Sequence, residues 1–97
     1  MSVIIKKIKV GSRIIEALYL PLQAKNLIVL RGSRGYVMCG YLNLSIARKF
    51  SDAAVKITGV ATIEDALRAP VHSLTPAARR LGIKKGDSIK DILALIA

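Results

Sequence analysis

The sequence predicts an α+β fold: a mainly antiparallel sheet from the N-terminal half, with three to four short helices packed on one of its faces. Two observations carry this. Runs rich in β-branched residues separated by turn residues dominate the chain up to residue 41, whereas caps followed by apolar stripes at helical spacing dominate after it. A third bounds the size: 97 residues without repeat, linker or low-complexity tract make a single domain spanning 1–97.

Val3 to Val10 is the first strand, ended by Gly11-Ser12. Arg13 to Leu20 is the second and stops at Pro21. Asn26 to Arg31 and Tyr36 to Tyr41 flank Gly32-Ser33-Arg34-Gly35, a turn of hairpin length with glycine at both ends. Both hairpin strands are apolar on alternate positions of either parity, the mark of strands covered on both faces. Leu42, Ile46 and Phe50 recur every four residues as a helical stripe that can pack on the sheet, with Asn43 as its cap. Ala54 to Thr58 is a short strand, expected parallel to the 36–41 strand because a helix connects them, through a right-handed crossover. Thr62-Ile63-Glu64-Asp65 has capping-box spacing and opens a helix to Ala69, before Pro70. Residues 68–75 read as a loop. Thr75-Pro76 starts a third helix that Gly82 closes, and Asp87-Ser88 a fourth with the stripe Ile89, Ile92, Leu93, Ile96.

The chain is 53% apolar but has only three Tyr and one Phe, so aliphatic residues must build the core. For so small a body this excess predicts apolar surface covered by a second copy, a homo-oligomer assembled through the sheet. Loops 21–26 and 68–75 are the alternative cover. The lone Cys39 cannot form an intramolecular disulfide, and the N-terminus lacks an uninterrupted apolar block; both fit a cytoplasmic protein without a membrane span.

The formal charge of +10 is uneven. Residues 1–50 carry nine Lys/Arg against one acid, Glu16, and residues 51–97 carry seven against five. The basic half can attract polyanions, but its cations are scattered, which predicts weak, salt-sensitive nucleic-acid binding without sequence preference. Arg34 to Tyr41 overlays the RNP1 octamer of RNA-recognition domains at its basic, glycine and outer aromatic positions. Met38 stands where a stacking ring is required, so specific RNA reading is not expected.

Gly35-Tyr36-Val37-Met38-Cys39-Gly40 is the most unusual stretch. Glycine within a strand marks a bulge or a close approach by a ligand or backbone, and strand-to-helix transitions are frequent site positions. Gly35, Tyr36, Cys39, Gly40 and Asn43 are therefore the candidate ligand-binding residues, and Cys39 the candidate catalytic one. A thiol nucleophile needs a base, and the chain has one histidine, His72. Free cysteine also serves as a small buried hydrophobe, and Cys39 is expected to be mostly buried and slow to react with thiol reagents. Dispersed carboxylates with one His and one Cys give no metal-ligand spacing. No metal and no cofactor are expected, and Glu64-Asp65 fits a first helical turn.

Three segments resemble the YunC-like family, a bacterial and archaeal domain of unknown function. They are Lys25-Asn26-Leu27 with Gly35 to Asn43, Gly59 to Pro70, and Thr75 to Ala78 with Leu81 to Gly86, in the same order along nearly the whole chain. The resemblance implies a compact α+β domain with no assigned activity. Where the family has Asp after Gly-x-Leu, this chain has Asn43, so any activity resting on that carboxylate would be lost here. Three readings follow: a homo-oligomeric binding or regulatory module of unknown ligand, a small enzyme using Cys39 with Tyr36 or Asn43, and a weak polyanion or RNA binder.

Overall fold

The computed structural model describes residues 3–41 and 43–97. Six strands form one sheet in chain order: β1 (Ile4–Val10), β2 (Arg13–Pro21), β3 (Asn26–Arg31), β4 (Tyr36–Met38), β5 (Ala54–Lys56) and β6 (Ser73–Leu74). Every neighbouring pair is antiparallel except β4 and β5, which run parallel. Helix α1 (Leu44–Lys49) makes that crossover, and α2 (Ile63–Arg68), α3 (Pro76–Arg80) and α4 (Ile89–Ile96) follow. The predicted fold class and the parallel pair are what the structure has. Strand β6 falls inside the segment read as a loop; two residues are too few for a periodic signal.

Alternation sorts the sheet residues onto two faces. Ile15, Ala17, Ile28, Leu30, Val37 and Val55 are fully buried and pack with Ala66 of α2, Ala78 of α3 and Ile89, Ile92 and Ile96 of α4. Each large aliphatic group there contributes about 1.5–3 kcal/mol through burial. Three helices thus share one face, joined by the capping logic read from sequence. Thr62 Oγ1 accepts the amide of Asp65 at 3.0 Å. The buried Thr75 hydroxyl accepts the amides of Ala54 and Ala78 while donating to the Asp52 carbonyl at 2.6 Å.

Helix α1 lies on the opposite face. Ala47 meets Ala54, and Leu44 packs beside Tyr36 and Met38. This corrects the expected stripe: Ile46 and Phe50 are 54% and 70% exposed, and Leu42 lies outside the described residues. The small Ala47–Ala54 contact lets α1 lie close to the sheet, and its six residues are too few for a second inward row. The rest of that face, over β1 to β3, has no cover among the described residues. Loop 21–26 turns back on itself between β2 and β3, with the Leu22 amide donating to the Lys25 carbonyl at 3.1 Å. Residues 73–74 extend the sheet at β6. Neither segment crosses the open face, which removes the alternative cover.

The C-terminus is built into the β3–β4 turn. The Arg34 amide donates to the Ile96 carbonyl at 2.9 Å, and Ser33 Oγ and an Arg13 guanidinium nitrogen both donate to the Ala97 carbonyl. Both turn glycines are required by proximity. A Cβ on Gly32 would fall on the Ile96 carbonyl, and one on Gly35 would lie 2.7 Å from the Ala53 oxygen. No helix among the described residues is long and apolar enough to cross a membrane.

Candidate functional site

A cleft of about 600 Å³ opens at the carboxyl ends of the parallel strands β4 and β5. Three backbone stretches line it: the β2–β3 turn at 22–26, residues 39–41 after β4, and residues 58–61 between β5 and α2. Ligands of open sheets favour this position, where two parallel strands end and their loops diverge. Apolar Leu22, Val60 and Ala61 are interspersed with Gln23, Asn26, Thr58 and Tyr41. Lys25 is the one charged residue of the lining, which contains no carboxylate and no imidazole.

Cys39 builds the floor. It is 5% exposed, and its amide donates to the Ile28 carbonyl at 3.2 Å. The returning bond of an ordinary antiparallel pair would run from the Ile28 amide to the Cys39 carbonyl. Here the Ile28 amide reaches Cys39 Sγ instead, at 3.3 Å, so the ladder ends at Met38, three residues short of the Tyr41 that the sequence predicts. The thiol also lies 3.5 Å from the Asn26 carbonyl, as its donor. The Asn26 amide nitrogen donates to the Ala61 carbonyl at 3.1 Å, tying the β2–β3 turn to the loop after β5. On the far side Asp65 Oδ2 accepts the Ala61 amide at 3.2 Å. That bond, foremost, holds the Asp65 carboxyl below its ordinary range against an opposing desolvation, with the adjoining Arg68 and Thr62 adding to it. The capping-box acid thus serves the residue before the cap and anchors a wall of the cleft.

The five residues singled out from sequence divide between places. Cys39 and Gly40 line the cleft, and an added Cβ on Gly40 would meet nothing within 4 Å among the described residues. Asn43 caps α1, its Oδ1 accepting the Ile46 amide at 3.2 Å. Gly35 and Tyr36 stand at the other end of β4. The Tyr36 hydroxyl donates to Asp52 Oδ2 at 2.9 Å. Partial burial, followed by that bond and the nearby Asp52 charge, pushes its pKa up to about 12. His72 is exposed on the β5–β6 connection, with Nδ1 3.1 Å from Ser73 Oγ. It is not among the cleft residues. No group of three His, Cys, Asp or Glu side chains gathers among the described residues.

Residues 22–26 and 58–61 were not identified as site residues from sequence. The signal was present in topology: two parallel strands joined by a helix end side by side, so following both to their ends places 58–61 beside Cys39. The β2–β3 turn arrives there through hairpin register, since Pro21 pairs with Asn26 and Ile28 with Cys39.

Comparison with known proteins places this architecture. The chain is 35% identical over 81 residues, 79% of its length and 80% of the relative's, to the uncharacterized protein YunC of Bacillus subtilis (strain 168). Its fold matches the crystal structure of a protein of unknown function, TA1206 from Thermoplasma acidophilum, with a TM-score of 0.94 and 32% identity. That match covers 99% of this chain and 94% of the other. A family model, "Domain of unknown function (DUF1805)", matches residues 38–96 and so includes two of the three cleft walls. The chain belongs to the DUF1805 family of YunC-like domains.

Proposed function

We propose that this chain is a homo-oligomeric cytoplasmic module that binds a small amphipathic molecule in the cleft at the ends of β4 and β5. The cleft carries the reading: about 600 Å³ lies within the roughly 300–1,000 Å³ of small-molecule sites. Its lining mixes apolar surface with hydroxyl and amide groups, and Lys25 favours a ligand with an acidic group. The enzyme reading has less support. Tyr36 is bonded to Asp52 at the far end of β4, Asn43 is occupied as a helix cap, and the Cys39 thiol is engaged with β3. Self-association is supported separately by the uncovered sheet face, where Ile5 is 65% and Ile14 47% exposed. The scattered cations support no more than weak polyanion binding.

The test uses anilinonaphthalene sulfonate, an amphipathic anion, followed by amide NMR. Shift changes are expected in 22–26, 39–41 and 58–61, with weaker binding in Lys25→Glu and Gly40→Leu. Changes confined to β1 and β2, or binding indifferent to both substitutions, would overturn the cleft as the site.

A further inference from the structure

The face of β1 to β3 turned away from the main core is organised in cross-strand rows. Register sets Ile5 opposite Leu18, Leu18 opposite Val29 and Val29 opposite Met38, giving one continuous apolar row. The next row is Lys7, Glu16 and Arg31. A shallow groove lined by Ile5, Glu16, Leu18, Val29 and Arg31 runs between them. Beside this floor stands α1, with Ile46 and Phe50 four residues apart on one exposed stripe. The chain therefore presents a half-buried apolar floor, exposed at Ile5, and an exposed apolar ridge, and the ridge cannot fold onto its own floor because Ala47 fixes α1 over Ala54.

We infer that a second copy of this chain covers the open face, with Ile46 and Phe50 of each copy's α1 seated on the Ile5–Leu18–Val29 row of the other. This specifies the self-association proposed above and rests on it. A twofold axis satisfies both surfaces at once, since in an isologous contact whatever one copy gives it also receives. The area suffices. Three strands about 4.8 Å apart and about 23 Å long, with the flank of α1, project roughly 400 Å², or on the order of 600–800 Å² of accessible surface. Specific interfaces bury about 600–1,000 Å² per partner.

Charge at the centre of this face is partly offset. A chain of net charge +10 repels its own copies, and the N-terminal half has a single acid, Glu16. That acid lies in the middle of this face, ion-paired with Arg31 and directly across from Lys7. The row of Lys7, Glu16 and Arg31 thereby carries a net charge of +1, the one place where an acid of this half offsets its cations. A polyanion would be served better elsewhere.

Sedimentation equilibrium at micromolar concentration tests the assembly, with a mass near twice 10.5 kDa expected. Ile5→Glu and Phe50→Lys alter side chains that are 65% and 70% exposed in one copy, so circular dichroism should stay unchanged. Each should weaken the dimer at least about 30-fold, the effect of losing one central anchor. The double variant I5E/F50K places opposite charges in reciprocal positions and should recover much of that loss. A wild-type mass near 10.5 kDa overturns both this assembly and self-association. A dimer indifferent to both single variants overturns this interface and leaves self-association standing. Sensitivity to Ile5→Glu alone overturns the seating of α1.

Discussion

The two ends of β4 use glycine for opposite purposes. At its start, Gly32 and Gly35 bring three pieces of backbone together: the turn, the C-terminal end of α4 and the segment leading into β5. There the absent side chain is filled by protein. At its finish, Gly40 lines the cleft, where no described residue fills the place of the absent side chain. The same residue type, eight positions apart, thus marks structure at one end and leaves room for a ligand at the other. Tyr36 and Cys39 follow the same division: the phenol is spent on a bond to Asp52, while the thiol closes the ladder beneath the cleft.

The sharpest way to break this contrast is to add one methyl group at the packed end. Gly32→Ala forces the last turn of α4 away from Arg34 and Ser33 and should cost about 2–4 kcal/mol. Gly35→Ala, with its nearest backbone atom at 2.7 Å, should cost about 1–3 kcal/mol. Against a typical total of about 5–15 kcal/mol both are large, and urea midpoints at one fixed protein concentration measure them. Losses under about 0.5 kcal/mol at both positions would show that the terminal docking is dispensable.

A smaller effect comes from Tyr36. Its folded pKa is raised to about 12 from the ordinary 10.0 of a free tyrosine. The phenol is an acid whose neutral form the fold favours, so its contribution to stability is fully present below the unfolded value. It declines as pH rises between about 10 and about 12. Phenolate absorbance should show a step near 12 that disappears in Tyr36→Phe, and that variant should lose the extra fall in stability over the same window. If the step that Tyr36→Phe removes lies at the ordinary tyrosine position instead, the Asp52 contact does not persist in solution.

The order of the elements other than β6, the bounds of the strand at 26–31, the capping threonines and the α4 stripe were legible in sequence, because each rests on local chemistry. The orientation of α1 was not. Ile46 and Phe50 carry the larger side chains, whereas the position facing the sheet is Ala47, chosen for closeness rather than bulk. Cys39 was legible as a buried small group, but its capture of the Ile28 amide depends on the register between β3 and β4. The cleft was half legible: residues 39–40 were marked by composition, while its other two walls meet them only through topology.

Gly40→Ala is the smallest effect and the most informative about the contrast. An alanine there meets no atom within 4 Å among the described residues, and Gly40 is not in the left-handed region, so the fold presents neither a clash nor a strained backbone. Replacing glycine at a compatible position also lowers the entropy of the unfolded chain, a gain of about 0.4–1 kcal/mol. Stability should therefore be unchanged or slightly higher, opposite in sign to Gly32→Ala and Gly35→Ala. The affinity for the sulfonate probe should fall modestly, because a methyl group takes volume from a cleft lined at that point by backbone alone. Denaturation and probe titration on the same preparation separate the two quantities. A destabilisation above about 1 kcal/mol would place Gly40 with the packed glycines, and the two ends of β4 would no longer differ.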